Sequence, residues 1–281
     1  MFANKDVFGL MPKRDNRPVP AHLVKAPSSR DVYFISKCEE LIAQYRTARI
    51  FLQQYKFETW DRWLKDIPSE NEEAKFYAKT IQQIACYEAA LVFYNIVVDL
   101  SWVLCYVSFE FSLARKGDCE GKRIVFGEIG SIEESMELLR IAEKNVICPS
   151  AEETPFIYLK HQYPDSAKAL DLVTDFWNTF SSSNIRSLYN YIKHKGKPKY
   201  DELNKINHSP PWMFLGVNKE GHASQSLVSP TDLLKKCSFI DGVDELIQFD
   251  DTQLYPYLKA LFEELYAHVN PSPWVSRSVN L

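Results

Sequence analysis

Glycine is scarce in this chain, with nine in 281 residues. A β-rich protein needs more tight turns than that supplies, so a helical fold is expected. Uninterrupted apolar runs of membrane length are also missing. The stretch 84–114 is apolar overall, but Glu88, Asp99 and Glu110 break it into uncharged pieces of ten residues. A spanning helix needs about 20 predominantly apolar residues. A buried helix of a soluble bundle is therefore the expectation, with no membrane partner. The six cysteines show no CxxC or other metal-ligand spacing and read as free thiols of a reducing cytoplasm. The first twenty residues hold no long apolar core, so no secretory signal is expected. HExxH, phosphate-loop, dinucleotide and GxSxG patterns are all absent, and no metal or cofactor is expected. A net charge of -4 argues against a general nucleic-acid coat, though not against a local basic patch.

The chain does hold many aromatics: 17 Phe, 15 Tyr and 6 Trp, suited to thick helix–helix cores or an interface. Hydrophobic residues at 46% and charged residues at 25% allow a sizeable core. Residues 1–30 are Pro-rich without periodicity and read as an extended arm. Three-and-four spacing predicts a helix from 31 to about 55 and a short one over 57–67. A long helix is predicted from 71 to 116, stopped by Gly117, followed by a Gly-rich loop to 130. Further helices are expected over 131–145, over 165–195 with a jog near Ser181–Ser183, and over 253–269. Residues 149–164 read as irregular, 196–250 as an irregular flap or hairpin, and 271–281 as a tail. The expected architecture is mainly α, an antiparallel bundle of long helices in one domain over 31–270 with a small hairpin appendage.

The most distinctive stretch is 183–199. It holds five Lys/Arg and no acid between 186 and 199. A step of four residues returns to within about 40° around an α-helix. Arg186, Asn190 and His194 therefore form one stripe, with Lys193 beside it and Leu188 and Ile192 on another face. Gly196 and Pro198 end the helix. Cations near a helix C-terminus also complement its dipole, so ordinary stop chemistry accounts for part of this pattern. It does not account for Arg, Asn and His sharing an edge, nor for Lys195, Lys197 and Lys199.

The string Asn190-Tyr191-Ile192-Lys193-His194-Lys195-Gly196 resembles the motif end of the HEPN superfamily of small helical bundles. The resemblance implies metal-independent RNA cleavage, or nucleotide or partner binding in degenerate members. It also implies a homodimer and a toxin- or defence-type role beside an antitoxin or defence partner. On it, His194 is the general acid or base, and imidazole titrates near neutrality as either role needs. Arg186 offsets phosphate charge, Asn190 orients the imidazole or binds an oxygen, and Lys193, Lys195 and Lys197 hold flanking phosphates. The chain departs from the family at Tyr189, which stands where the Arg is usual. Seven residues separate Arg186 from His194, where the family has four to six.

Glu88, Asp99 and Glu110, eleven residues apart, drift only about 20° per step and form an acidic stripe. It reads either as a solvated seam or as a partner for the basic helix end. Asp99, with the most apolar neighbours, and Tyr189 are supporting candidates for the site. Trp60, Trp63, Trp177 and Trp212 read as core or interface rather than a base-stacking platform.

Overall fold

The computed structural model describes residues 10, 29–55, 65, 72–109, 160, 164–203, 212–217, 219, 221–228 and 234–268. The arm apart from residues 10, 29 and 30, the 57–67 helix apart from residue 65, and the end of the 71–116 helix lie outside them. So do the 117–130 loop, the 131–145 helix, the 149–164 stretch apart from residues 160 and 164, and the tail. The fold is mainly α. In chain order come helices α1 (Ser29–Gln54), α2 (Glu72–Ser108), α3 (Ala167–Ser181) and α4 (Asn184–Lys195). Strands β1 (Lys199–Tyr200), β2 (Trp212–Val217), β3 (Ala223–Val228) and β4 (Lys236–Cys237) follow, then α5 (Phe239–Phe249) and α6 (Tyr255–His268). β1 pairs with β4 in parallel, and β2 with β3 as the antiparallel hairpin that the sequence pattern suggests.

By packing, the chain divides into two compact units. The first takes Met1–Thr47, Phe93–Ser183 and Ile247–Leu281, and the second Ala48–Val92 and Asn184–Leu246. Helices α1, α2 and α5 each contribute residues to both.

The core of the first unit is aromatic. On α3, Ala169, Leu170, Val173, Trp177 and Phe180 recur at helical spacing and are buried. Phe176 lies on Tyr257 of α6, with ring centroids 3.9 Å apart, and Trp177 meets Trp102 of α2 edge-on at 5.0 Å. Such pairs each contribute about 0.5–1.5 kcal/mol beyond burial. Two hydrogen bonds cross this core: the Ser101 and Tyr257 hydroxyls are 2.8 Å apart, and the Tyr45 hydroxyl donates to the fully buried Asp250 carboxylate. Helix α2 is long and apolar enough to cross a membrane by length and composition alone, yet most of its apolar window is buried inside the protein.

The expected jog between α3 and α4 falls at Ser182–Ser183. Both the Ser183 amide and its hydroxyl donate to the Phe180 carbonyl, at 3.0 and 2.7 Å, which offers the backbone an alternative to continuing the helix.

The second unit corrects one reading. Residues 239–249 are helical rather than part of an irregular flap, with Phe239, Val243, Leu246 and Phe249 buried at helical spacing. A π turn, Asp250–Leu254, joins α5 to α6. Its wider winding shifts the phase of the apolar stripe, so the two helices do not read as one period. The Glu202 carboxylate caps α5, accepting from the Ser238 hydroxyl at 2.7 Å and from the Phe239 and Ile240 amides at 3.3 Å.

Candidate functional site

Helix α4 forms because Ile185 and Leu188 are buried, and Ile192 half-buried, along one face. It ends at Gly196, whose φ of +106° lies in the left-handed region and whose amide donates to the Tyr191 carbonyl at 3.2 Å. Pro198 is buried and keeps the helix from resuming.

The opposite edge carries the candidate residues. Asn190, Lys193, His194 and Lys195 are exposed, and Arg186 is half-buried. Among the described residues, the Asn190 and His194 side chains make no hydrogen bond or ion pair. The Arg186 guanidinium lies 5.2 Å from the centre of the Tyr189 ring, and the Lys193 ammonium 5.7 Å from the same centre. Tyr189 thus gathers two cations, each favoured by the negative face of the ring. This follows from helix geometry, since positions three and four apart are neighbours.

Beyond the helix end, Lys197 pairs with Glu88 at 3.5 Å, and the same carboxylate accepts from the Tyr200 hydroxyl at 2.8 Å. The first member of the acidic stripe therefore meets the basic segment. Asp99 is half-buried in the part of α2 that belongs to the first unit, and Glu110 lies outside the described residues.

Around Glu88, burial disfavours the charged forms of two phenols and one thiol. Burial, reinforced by Glu88, pushes the Tyr200 phenol well above its ordinary value, and burial does the same to Tyr87. The Cys237 thiol is pushed up to about 11 by burial, then by Glu202 and Asp201, with Lys235 opposing. Neither phenol nor thiol is ionised near neutral pH, so none of these three is a nucleophile or base there.

Sequence reasoning missed Tyr200, Lys235, Lys236 and Cys237. Two-residue strands carry no periodicity, so their pairing leaves no sequence signal. Among the described residues no group of three His, Cys, Asp or Glu is placed to hold a metal ion. No protein-family model, curated protein or solved structure matches the chain.

Proposed function

We propose that the exposed edge of α4 contacts phosphate, and that the protein handles RNA or nucleotide as a HEPN-like, metal-independent ribonuclease acting as a homodimer. The observation that carries this reading is the exposure of Asn190, Lys193, His194 and Lys195 on the last turns of α4, with Arg186 held over Tyr189 one turn earlier. In the reaction His194 takes the proton of a ribose 2′-hydroxyl, the 2′-oxygen bonds to the adjacent phosphorus as the bond to the 5′-oxygen breaks, and the 5′-oxygen takes a proton from water. Arg186 offsets the charge that builds on the phosphate, and Asn190 orients the imidazole or binds an oxygen. Lys193 and Lys195 hold the neighbouring phosphates, a contribution that weakens with salt.

The test is cleavage of RNA in EDTA by the wild-type protein and by His194→Ala. Cleavage by the wild type and its loss in the variant are expected; absence of cleavage in both removes the enzymatic role.

A second reading has its own support. Arg186 is engaged by Tyr189, and Lys197 by Glu88, so part of the basic segment serves the fold. On that reading the protein is a non-catalytic helical interaction module, and His194→Ala leaves every RNA-dependent measurement unchanged.

A further inference from the structure

The four lysines at 193, 195, 197 and 199 come from one segment, and the fold sets a second segment against them. Resting on the phosphate-contacting reading above, we infer that Lys235 and Lys236 extend that surface beyond α4, and that its occupant is a single strand of nucleic acid.

In the parallel β1–β4 bridge, Lys199 stands opposite Lys236 and Tyr200 opposite Cys237. Successive residues of a strand turn to opposite faces. Tyr200 is buried and Cys237 half-buried, so their face is the inner one. Lys199 and Lys236 occupy the outer face, and Lys236 is exposed. The Lys199 amide donates to the Lys235 carbonyl at 2.9 Å, which fixes the register.

Lys235 also reaches α4. Its ammonium donates to the Ser187 hydroxyl at 3.1 Å, one residue past Arg186, and its amide donates to the Tyr191 hydroxyl at 3.2 Å. Cations thus run from Arg186 and Lys193 on α4, through Lys195 and Lys197, to the Lys199–Lys236 pair.

Of the acids nearby, some are held by the fold and some face the lysines themselves. Glu88 pairs with Lys197, Glu202 caps α5, and Glu245, which has Lys235 nearby, bonds Asn184. Cations drawn from two segments suit an extended run of phosphates better than one phosphate group. A flexible single strand can follow a path from a helix end across a short bridge, which a stiff duplex cannot.

The experiment is fluorescence anisotropy of a labelled single-stranded 2′-O-methyl oligoribonucleotide, which lacks the hydroxyl that cleavage needs, at several salt concentrations. Lys236→Gln and Lys235→Gln, each with unchanged circular dichroism, are expected to weaken binding several-fold and to reduce the log–log salt slope by about 0.7 per lost contact. Lys259→Gln, at an exposed lysine of α6 in the first unit, is expected to change neither. On the wild-type protein, bound RNA is expected to protect Lys235 and Lys236 from acetylation, read by mass spectrometry without any substitution. If Lys195→Gln lowers the slope while both new variants leave it unchanged and neither lysine is protected, the extension is overturned and the α4 reading stands. If all three leave it unchanged, or the wild type binds no RNA, both fall. Equal binding to duplex RNA or to phosphatidylserine vesicles overturns the assignment to a single strand.

Discussion

At the scale of single residues, the second unit is organised by ionisable groups whose charge states burial decides. Glu245 shows this most directly. Burial raises its pKa, while a hydrogen bond from Asn184 and the nearby Lys235 pull the other way. A carboxyl group with a raised folded-state pKa binds its proton more tightly folded than unfolded. Its favourable contribution is therefore complete below the unfolded pKa and is lost as pH rises through the folded one. Glu245→Gln cannot ionise, so the variant is expected to be more stable than wild type at pH 7. Below about pH 4, where an ordinary glutamate is protonated, the difference should vanish. Urea midpoints measured across that range test this, and equal midpoints at pH 7 would show that Asn184 and Lys235 fully offset burial. None of this was legible in the sequence, because Asn184 and Lys235 lie outside α5, and no spacing along the chain ties them to Glu245. The Arg186–Tyr189–Lys193 arrangement was partly legible, since spacings of three and four are local to one helix.

At the scale of elements, α5 is defined by a close approach. A Cβ at Gly242 would fall 2.2 Å from the hydroxyl oxygen and 2.6 Å from the ring carbon of the buried Tyr87. Alanine at an interior helical position ordinarily gains about 1 kcal/mol over glycine. Forcing a methyl group against a packed ring costs about 1–3 kcal/mol. Gly242→Ala is thus expected to destabilise the protein despite its better helix propensity, with the loss read from chemical denaturation. In a Tyr87→Phe background the closest contact is gone, so the same substitution should cost less; additive effects would place the strain elsewhere. The helices α1, α2, α3 and α4 were legible from three-and-four spacing, and the break at Ser182–Ser183 from a run of serines. Helix α5 was not, because the π turn at Asp250–Leu254 throws its stripe out of phase with α6 and the preceding turns look irregular.

At the scale of the whole molecule, the sequence predicts a mainly helical chain but not how its segments divide. Each unit draws on stretches far apart in sequence, and periodicity marks a buried face without saying what covers it. The described cysteines give a way to follow the first unit. All four, Cys38, Cys86, Cys105 and Cys237, are free thiols. Cys38 and Cys105 are fully buried in the first unit, and burial lifts both thiols far above the ordinary range. Alkylation needs an exposed thiolate, so neither can react without opening of the surrounding core. Brief iodoacetamide pulses at pH 8 along a urea series, read by peptide mass spectrometry, are expected to leave both unmodified in the absence of denaturant. Their modification should then rise at the same urea concentration at which helical circular dichroism is lost. Cys237, half-buried and protonated up to about pH 11, should react slowly in the native protein. Its thiolate fraction at pH 8 is about two orders of magnitude below that of a thiol with the usual pKa near 8.5. Modification of Cys38 or Cys105 well before the loss of helix would mean that the aromatic core opens locally, not as one cooperative unit.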